Sequence, residues 1–314
     1  MSNKKKIILD CDPGHDDAVA LILAHGNPTI DLVAITTIGG NAFLGKVTKN
    51  ALGIMAKAGI KDVPIAAGCT RPLLREVEEA GDVHGETGLD GVDLPEPEVE
   101  LDLRHGVDLI IDTIMGSEPG SITLVPTGPL TNIAMAVRKE PAIAERVKEV
   151  VLMGGGIHEG NWSAVAEFNI KTDPEAAQIV FDAPWEVTMV GLDVTHQALA
   201  TEEISARIQN IGTPLSEFVL GLLSFFRKAY KDNQGFDHPP VHDPVAVARV
   251  IDPSIVGTVR APISVECQGS STLGMTVVDL RPGCTPENCH TQAAQTLDTE
   301  RFWDLVIDAI QRAG

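Results

Sequence analysis

Four aspartates lie within eight residues near the start of the chain: Asp10, Asp12, Asp16 and Asp17. They follow a short apolar run at 7–9 that is typical of a buried strand rather than a helix. Carboxylates this close together repel one another, and burial beside a strand end raises the cost of keeping all four ionised. A cation among them would offset that cost. Because the ligand atoms are carboxylate oxygens, the cluster favours Ca²⁺ or Mg²⁺ over Zn²⁺.

The same aspartates have a second interpretation as helix caps. A Pro-Gly pair interrupts the strand, and the apolar stretch at 18–25 predicts a helix. Asp16 or Asp17 at its start would suit both the N-cap preference and the positive end of the helix dipole. One cap leaves the other carboxylates unexplained, so metal binding is the better interpretation of the whole cluster.

The overall charge is strongly acidic. The 314 residues include 24 Lys and Arg against 44 Asp and Glu, which gives a formal net charge of −20 at pH 7. Such a chain repels polyanions, so we expect neither nucleic acid nor a membrane surface as a partner. The first residues lack the apolar core of a signal peptide, and no later run is long enough to span a membrane. These features predict a cytoplasmic protein.

The cysteines predict neither disulfides nor zinc. There are five, an odd number, which argues against a disulfide framework. Cys284, Cys289 and His290 are spaced like part of a zinc site, but no second ligand pair has suitable spacing.

Strand-like and helix-like segments alternate along the chain. The pattern predicts strands at 7–10, 32–38, 64–67, 122–125, 147–153, 187–192, 263–266 and 275–278 and helices at 18–26, 44–58, 108–115, 173–181, 216–228, 245–250 and 302–312. Such alternation is typical of a parallel sheet covered by helices on both faces. We therefore predict an α/β protein with a single-domain, open, mostly parallel sheet, Rossmann-like in architecture, over residues 1–314.

Polar residues follow several of the predicted strands. Asp12 follows the first, Asn41 the second, and Thr127 the strand at 122–125. In open α/β sheets, ligands bind outside the carboxyl ends of the strands. We therefore expect these three residues at one site, although Asn41 is equally typical of a simple turn.

Two long polar segments interrupt the alternation. Residues 71–100 lack apolar periodicity and contain His84, while 229–240 is predicted to be a loop that contains Tyr230. Long loops inside a compact domain are usually functional or mobile, although His84 could equally be a solvated loop residue. A third polar stretch, 159–169, is rich in side chains that hydrogen-bond hydroxyl groups.

The motif Asp-x-Asp-Pro-Gly-x-Asp-Asp at 10–17 resembles the signature of the nucleoside hydrolases, metal-dependent enzymes that split ribonucleosides into ribose and base. The segments at 150–156, 193–199, 241–244 and 290–292 are similar to the inosine–uridine-preferring, broad-specificity branch of that family. The resemblance covers essentially the whole chain. It implies a nucleoside hydrolase fold and hydrolysis of the N-glycosidic bond of inosine, uridine and other ribonucleosides.

The resemblance also implies a metal centre. Four positions match the family's Ca²⁺ ligands: Asp12, Asp17, Asp243 and the carbonyl oxygen of Thr127. The ribose 2′- and 3′-hydroxyls are expected to complete the shell. Asp10 matches the first acid of the motif and is expected to orient its neighbours. Asp12 is further expected to act as general base toward a water that the cation makes more acidic and that attacks C1′.

The leaving base needs a proton or a strong hydrogen bond. His242 matches the family residue expected to supply it, although a histidine here could also be a neutral packed residue. Tyr230 is expected to assist His242 or to close over the base. The predicted substrate-binding residues are Asp16, Asn41, His84, Met153, Asn161, Glu167, Phe168, Asn169, Tyr230, His242 and Asp243.

Three features bear on substrate choice and assembly. The predicted pocket contains no Arg or Lys for a phosphate, and Glu167 would repel one, so nucleosides are expected rather than nucleotides. The purine-specific branch of the family sandwiches the base between tryptophans, and His84 stands at one such position. Trp162 could touch the pocket, but surface or core packing is its expected role. The family forms dimers and tetramers, which implies a homodimer or homotetramer.

Two other functions fit part of the pattern. Asp10 and Asp12 after a first strand are also similar to phosphatases of the haloacid dehalogenase type, which need a phosphate-binding Lys and a Ser/Thr motif that we do not find. A non-catalytic Ca²⁺-dependent ribose or nucleoside binding protein would need the metal site, but neither a base at Asp12 nor an acid at His242.

Overall fold

The computed structural model describes residues 4–78 and 80–314. Within these residues the strands are β1 (Lys5–Cys11), β2 (Ile30–Thr37), β3 (Ile65–Ala67), β4 (Ile122–Pro126), β5 (Val147–Met153), β6 (Val187–Val190), β7 (Val256–Arg260), β8 (Ile263–Val265), β9 (Thr276–Val278) and β10 (Thr291–Leu297). The α-helices are α1 (His15–Gly26), α2 (Leu44–Lys57), α3 (Gly81–His84), α4 (Gly106–Met115), α5 (Thr131–Lys139), α6 (Ile143–Arg146), α7 (Phe168–Thr172), α8 (Pro174–Asp182), α9 (Leu192–Thr195), α10 (Glu202–Gln209), α11 (Pro214–Gln234), α12 (Asp243–Ile251) and α13 (Thr299–Ala313).

Eight of these strands form one sheet in the order β3-β2-β1-β4-β5-β6-β10-β7. Neighbouring strands are parallel except for β10 and β7, which are antiparallel. β8 and β9 form a separate antiparallel pair. The predicted α/β class with a mostly parallel sheet is thus confirmed.

Helices cover both faces of the sheet because its central strands are apolar on both sides. In β1, Ile7 and Leu9 pack in a core with α1, α2, α11, α12 and α13, whereas Ile8 packs in a second core with α4, α5 and α8. All three side chains are fully buried. Burial on both faces is the arrangement expected for parallel strands joined by helical crossovers. It fixes the end of β1 in the middle of the sheet.

The topology changes direction at β1. The chain adds β2 and β3 on one side of β1 and then continues with β4 on the other. Ligands of open α/β sheets bind in the crevice at such a switch point. Asp12, Asn41 and Thr127 follow the three adjacent strands and therefore start from neighbouring places at one edge of the sheet.

The helix predicted at 216–228 is longer than expected. α11 ends only before Gly235, whose φ of +76° is the left-handed conformation of a helix C-cap. The prediction that Tyr230 lies in a loop is therefore wrong. Phe226 and Tyr230, four residues apart, are both buried, and this packing continues the helix through a polar stretch that has no earlier stop signal.

Several other elements differ from the predicted pattern. β10 is polar and alternating rather than apolar, and it inserts between β6 and β7 through tertiary pairing. The strand predicted at 187–192 ends at Val190, and the short helix α9 follows it. The segment 71–100 contains one short helix, α3, that ends at His84. Within the part of the chain that the structure describes, no helix is long and apolar enough to cross a membrane.

Candidate active site at the carboxyl edge of the sheet

A pocket of about 500 Å³, measured with its open mouth, lies beyond the carboxyl ends of the central strands. It is lined by every predicted substrate-binding residue: Asp16, Asn41, His84, Met153, Asn161, Glu167, Phe168, Asn169, Tyr230, His242 and Asp243. Its other lining residues are Ala80, Val83, Thr127, Trp162 and Gln234. Asp12 and Asp17 are fully buried and lie outside this lining.

Three carboxylates from opposite ends of the chain meet at the pocket. Asp16, Asp17 and Asp243 each offer an oxygen, and these oxygens all lie within 4.8 Å of one another. They meet because α1, which Asp16 and Asp17 begin, packs against α12, which Asp243 begins. Among the described residues this is the one group of three or more acidic, His or Cys side chains placed to hold a metal ion.

Burial makes these three carboxylates hard to ionise without a cation. It is the largest cause of the raised pKa values of Asp17 and Asp243, and it raises the pKa of Asp16 to about 7. Repulsion from Asp17 adds to the shift of Asp16, and repulsion from both neighbours adds to that of Asp243. A bound cation would reverse these shifts because it favours the ionised forms.

Asp12 has one carboxylate oxygen held and one without a partner. Its Oδ2 accepts a hydrogen bond of 2.6 Å from the peptide N–H of Asn41. Its Oδ1 is buried and has no hydrogen-bond partner among the described residues. Burial, followed by repulsion from Asp17, raises its pKa well above the usual range. A buried acceptor without a donor is costly unless a ligand supplies one.

Two glycines make room for this carboxylate. A Cβ atom on Gly40 would lie 2.1 Å from Oδ2 of Asp12, and one on Gly128 would lie 2.5 Å from Oδ1. Both distances are far inside van der Waals contact. The turns after β2 and β4 therefore need glycine so that the Asp12 carboxylate can lie between them.

The turn after β4 connects the acidic cluster to the pocket. The hydroxyl of Thr127 donates to Oδ1 of Asp17 at 2.9 Å, and its carbonyl oxygen accepts from Nδ2 of Asn169 at 2.8 Å. The peptide N–H of Gly14 donates to the other oxygen of Asp17 at 3.0 Å. Asp17 is thus held in one orientation, and the carbonyl group of Thr127 is directed toward the pocket side, where Asn169 lies.

Asp10 lies next to the cluster without joining it. Its Oδ1 accepts from the hydroxyl of Thr36 at 2.6 Å and from Nδ2 of Asn132 at 2.8 Å. Its Oδ2 is buried without a partner among the described residues, and burial raises its pKa to about 7. Its backbone carbonyl accepts from the peptide N–H of Thr127 at 2.8 Å. These contacts fit the predicted orienting role.

The donor atoms fit a hard divalent cation. They are carboxylate oxygens and one backbone carbonyl, the ligand types that Ca²⁺ and Mg²⁺ prefer. The unpartnered Oδ1 of Asp12 and the raised pKa values of Asp17 and Asp243 are both features that a bound cation would compensate. The cysteines near the C-terminus do not join this site, since Cys284 and Cys289 are free thiols outside the metal-binding group described above.

His242 and Tyr230 form a buried pair at the other side of the pocket. The hydroxyl of Tyr230 lies 2.6 Å from Nε2 of His242, and the hydroxyl of Thr195 lies 2.8 Å from Nδ1. Burial lowers the pKa of His242 well below its usual value, with His196 adding to the shift, and burial raises the pKa of Tyr230. Both side chains are therefore neutral near pH 7. Sequence reasoning missed Thr195, although it lies inside the quoted segment 193–199.

Amide and carboxylate groups line the opposite side. Glu167 accepts three backbone N–H groups, from Gly155 at 2.9 Å, Asn169 at 2.8 Å and Ile170 at 3.1 Å, and so caps α7. Burial raises its pKa to about 7. Asn161 accepts from the peptide N–H of Phe168 at 3.0 Å. The capping role of Glu167 was not anticipated from the sequence, and it holds the carboxylate rigidly at the pocket.

Trp162 contributes to the pocket as well. It is 37% exposed and lines the pocket, where its indole ring meets the ring of Phe168 edge-on at 4.9 Å between centroids. Its Nε1 donates to a carboxylate oxygen of Glu78 at 2.8 Å. Trp162 thus lines the pocket, which the sequence left open, and also packs on Phe168 at the surface. The Glu78 contact ties the segment before α3 to the rim of the pocket.

No Lys or Arg side chain lines the pocket as the structure describes it. A phosphate group bound there would be repelled by the carboxylates of Asp16, Glu167 and Asp243, and no Lys or Arg of this lining could form an ion pair with it. The phosphatase interpretation, which requires a phosphate-binding Lys, therefore has no support in the pocket lining.

Comparison with known proteins gives a consistent result. The family model described as inosine-uridine preferring nucleoside hydrolase matches residues 7–304. A protein of that name from Crithidia fasciculata is 58% identical over 311 residues, which cover 99% of this chain and 98% of the relative. The pyrimidine-specific ribonucleoside hydrolase RihA from Photobacterium profundum is 44% identical, and 98% of each chain is covered.

A solved structure extends the comparison to three dimensions. The purine-preferring ribonucleoside hydrolase from Gardnerella vaginalis superposes with a TM-score of 0.91 at 34% identity. The match covers 98% of this chain and 99% of that one. The names of the three relatives differ in the base that they prefer.

Proposed function

This chain belongs to the inosine-uridine preferring nucleoside hydrolase family, and from that premise we propose that it hydrolyses inosine, uridine and other ribonucleosides with Ca²⁺ as cofactor. The resemblance found in the sequence motifs is confirmed, and so is the enzyme class, a ribonucleoside hydrolase. The proposal concerns the preferred nucleosides, the identity of the metal and the roles of individual side chains.

The main support is the arrangement of two different chemical groups around one pocket. Oxygen ligands for a cation lie at Asp17 and Asp243, and Asp243 lines the same pocket as the neutral Tyr230–His242 pair. Cleavage of the ribosyl C–N bond develops positive charge on the sugar and negative charge on the base. Carboxylates favour the first, and hydrogen-bond donors favour the second.

Four groups would hold the ion: the carboxylates of Asp12, Asp17 and Asp243 and the carbonyl oxygen of Thr127. Ca²⁺ accepts such oxygens with the ribose 2′- and 3′-hydroxyls and, when bound, makes a water more acidic. Asp10 orients this group from behind, because its backbone carbonyl accepts the peptide N–H of Thr127.

Asp12 is the proposed general base. Its Oδ2 is held by the N–H of Asn41, whereas Oδ1 has no partner among the described residues and is the atom that would take a proton from the attacking water. The water then attacks C1′ of the ribose. Positioned proton transfer of this kind contributes about 10²–10⁴-fold to the rate.

His242 and Tyr230 are the proposed aids to the leaving base. Both are neutral and linked by one hydrogen bond. A proton given to the departing base leaves the pair with one negative charge, which this hydrogen bond stabilises until solvent returns the proton. Asp16 holds this end of the site, because its carboxylate accepts the peptide N–H of His242 at 3.2 Å. Thr195 fixes the ring of His242 from its far side.

The ribose-binding groups are proposed to be Asp16, Asn41, Asn161, Glu167 and Asn169. Met153 and Phe168 are proposed to form walls of the pocket, and His84 to lie beside the nucleobase. Glu167 is a buried carboxyl group, which accepts a 5′-hydroxyl and in its ionised form repels a 5′-phosphate. Nucleosides are therefore the expected substrates rather than nucleotides.

Three further expectations remain proposals. Residues 1–314 form one catalytic domain, the protein acts in the cytoplasm, and it assembles as a homodimer or homotetramer. Its net charge of −20 is unfavourable for nucleic acid or membrane partners. Analytical ultracentrifugation of the full chain tests the assembly, and a monomer at working concentration would contradict it.

The decisive experiment is kcat/KM for inosine, uridine, adenosine and cytidine, each measured with chelator and again after Ca²⁺ or Mg²⁺ is restored. We expect hydrolysis of all four, highest for inosine and uridine, abolished by chelator and restored best by Ca²⁺. Tight nucleoside binding without release of base would indicate a binding protein instead. Hydrolysis of small phosphoesters would favour the phosphatase interpretation.

A further inference from the structure

Two buried histidines face each other at the edge of the pocket. Nδ1 of His15, in the first turn of α1, lies 3.2 Å from Nδ1 of His84, at the end of α3. Nε2 of His15 lies 2.8 Å from the backbone carbonyl oxygen of Asp90. His84 lines the pocket, whereas His15 lies behind it and does not.

The contact with Asp90 determines where the protons are. A carbonyl oxygen only accepts hydrogen bonds, so Nε2 of His15 must carry a proton. Neutral imidazole has one N–H, which leaves Nδ1 of His15 as an acceptor. The proton between the two Nδ1 atoms therefore belongs to His84. In neutral His84 this leaves Nε2 without a proton.

Both rings are neutral in the folded protein. Both side chains are almost fully buried, and burial disfavours a charged imidazolium in either of them. One competing contact exists, since the peptide N–H of His15 lies 3.4 Å from Nδ1 of His84. That distance is long for a hydrogen bond. If Nδ1 of His84 accepted this peptide N–H, it would carry no proton, and its lone pair would face the lone pair on Nδ1 of His15 across the shorter ring-to-ring contact.

The surrounding structure fixes all three partners. The ring of His15 stacks on Phe225 at 4.9 Å and on Phe226 at 5.2 Å, nearly parallel to both. The peptide N–H of Asp90 donates to the carbonyl of His84 at 3.2 Å, which closes the loop between them. The carboxylate of Asp90 accepts the peptide N–H of Glu86 at 3.0 Å inside that loop. His84 and the Asp90 carbonyl are thus held at a fixed separation around His15.

We propose that His15 is a positioning residue that fixes the tautomer of His84, so that Nε2 of His84 faces the pocket as an acceptor for an N–H group of the nucleobase. Nδ1 is occupied by His15, and Nε2 has no hydrogen-bond partner in 4–78 or 80–314. His84 lies at the end of the pocket proposed for the nucleobase. Its ring contacts Phe226, which packs on Tyr230, the proposed aid to the leaving base. The ligand assignment rests on the proposed function, whereas the tautomer does not.

The recognised group is the ring N–H of a nucleobase, such as N3–H of uracil or N1–H of hypoxanthine. Either group donates a hydrogen bond, and N-methylation removes it without changing the sugar or the glycosidic bond. An acceptor left facing a methyl group loses its partner and is desolvated, which typically costs about 10-fold or more in affinity.

Nuclear magnetic resonance of the free, full-length protein tests the tautomer directly. Two-bond ¹H–¹⁵N correlation of the histidine rings distinguishes a protonated from an unprotonated nitrogen, and His84→Gln identifies the His84 signals. We expect Nδ1 of His84 to be protonated and Nε2 bare in the native protein. The reverse pattern in the native protein overturns the proposal.

Two variants of His15 separate positioning from packing. His15→Phe keeps the stacked ring but removes the acceptor, so the Nε2–H tautomer of His84 should appear. His15→Asn places its side-chain oxygen near the position of Nδ1 and should preserve the native tautomer. His25→Phe, on the exposed end of the same helix, is the matched control and should change nothing. An unchanged His84 tautomer in His15→Phe contradicts the positioning role.

Kinetics test the recognition of the base. The native enzyme should hydrolyse uridine with a kcat/KM about 10-fold or more above that of 3-methyluridine, mainly through KM. In His15→Phe this ratio should fall toward one, and His15→Asn should restore it. If the native enzyme hydrolyses uridine and 3-methyluridine with equal kcat/KM, the proposed recognition of the nucleobase N–H is wrong. No hydrolysis of any nucleoside would instead refute the proposed function and leave the spectroscopic result intact.

Discussion

The hydroxyl of Tyr230 and Nε2 of His242 are separated by 2.6 Å in a fully buried contact. The tyrosine comes from the last turns of α11 and the histidine from the residue before α12. Because both groups are neutral, the hydrogen bond between them can reverse its direction without leaving a buried charge. This property suits a pair that supplies a proton to a departing base.

Tyr230→Phe tests whether the pair assists the leaving group. The variant keeps the edge-on ring contact with Phe226 but removes the hydroxyl. We expect kcat for inosine and uridine to fall by about 10²-fold or more, because positioned proton transfer is lost. A riboside with 4-nitrophenolate as leaving group is the control, since that anion departs without a proton. Equal losses on both kinds of substrate would contradict the role and indicate a structural effect.

Asp12→Asn separates proton transfer from metal binding. The amide retains an oxygen near the site but accepts no proton at neutral pH, so we expect kcat to fall by about 10²–10⁴-fold. Ca²⁺ affinity of the metal-free protein, measured by calorimetry, should fall less than kcat does, because the side-chain amide keeps one oxygen as a ligand for the ion. Turnover close to that of the native enzyme would exclude Asp12 as the base.

Metal removal should destabilise the protein more at higher pH. In the metal-free protein burial raises the pKa values of Asp10 and Asp16 to about 7, from an unfolded value of 3.8. Between these values the folded state keeps protons that the unfolded state has released, so its stability falls as pH rises through that window. A bound cation offsets the negative charge of the ionised carboxylates. The gain in Tm on adding Ca²⁺ should therefore be larger near about pH 8 than near about pH 5.

Asp10→Asn is the matched variant for this effect. Its amide oxygen can accept the same bonds from Thr36 and Asn132, and its NH₂ group replaces the unpartnered Oδ2. The metal-free variant should lose stability less steeply with rising pH than the native protein. If the stability of the metal-free variant depends on pH in the same way as that of the native protein, ionisation of Asp10 is not a cause of the pH dependence.

The sequence predicts the sheet and the acidic centre because both depend on local patterns. The apolar strand before Asp12, the helix after Asp17 and the turn at Thr127 each follow from neighbouring residues, and the parallel topology then brings their ends together. The approach of Asp243 to Asp17 is a different matter. It depends on α12 packing against α1 and was available only through the family motif.

Other features depend on tertiary packing that periodicity does not reveal. Tyr230 lies in a helix because α11 buries one face against the rest of the core, whereas its local sequence looks like a loop. β10 is polar and becomes a strand because β6 and β7 pair with it. The contact between His15 and His84 joins residues far apart in sequence, and no motif indicates it.

Trp162→Ala tests whether Trp162, which was expected from the sequence to pack at the surface or in the core, forms a wall of the binding site. The indole is partly exposed, so its loss should hardly change Tm, but it lines the pocket and contacts Phe168. Removing an aromatic wall reduces apolar burial of a bound ligand, and we expect KM for uridine and inosine to rise by about 10-fold with little change in kcat. Glu78→Gln keeps an acceptor for the indole N–H and serves as the control, with a smaller effect. An unchanged KM for both nucleosides, with Tm also unchanged, would place Trp162 outside the binding site.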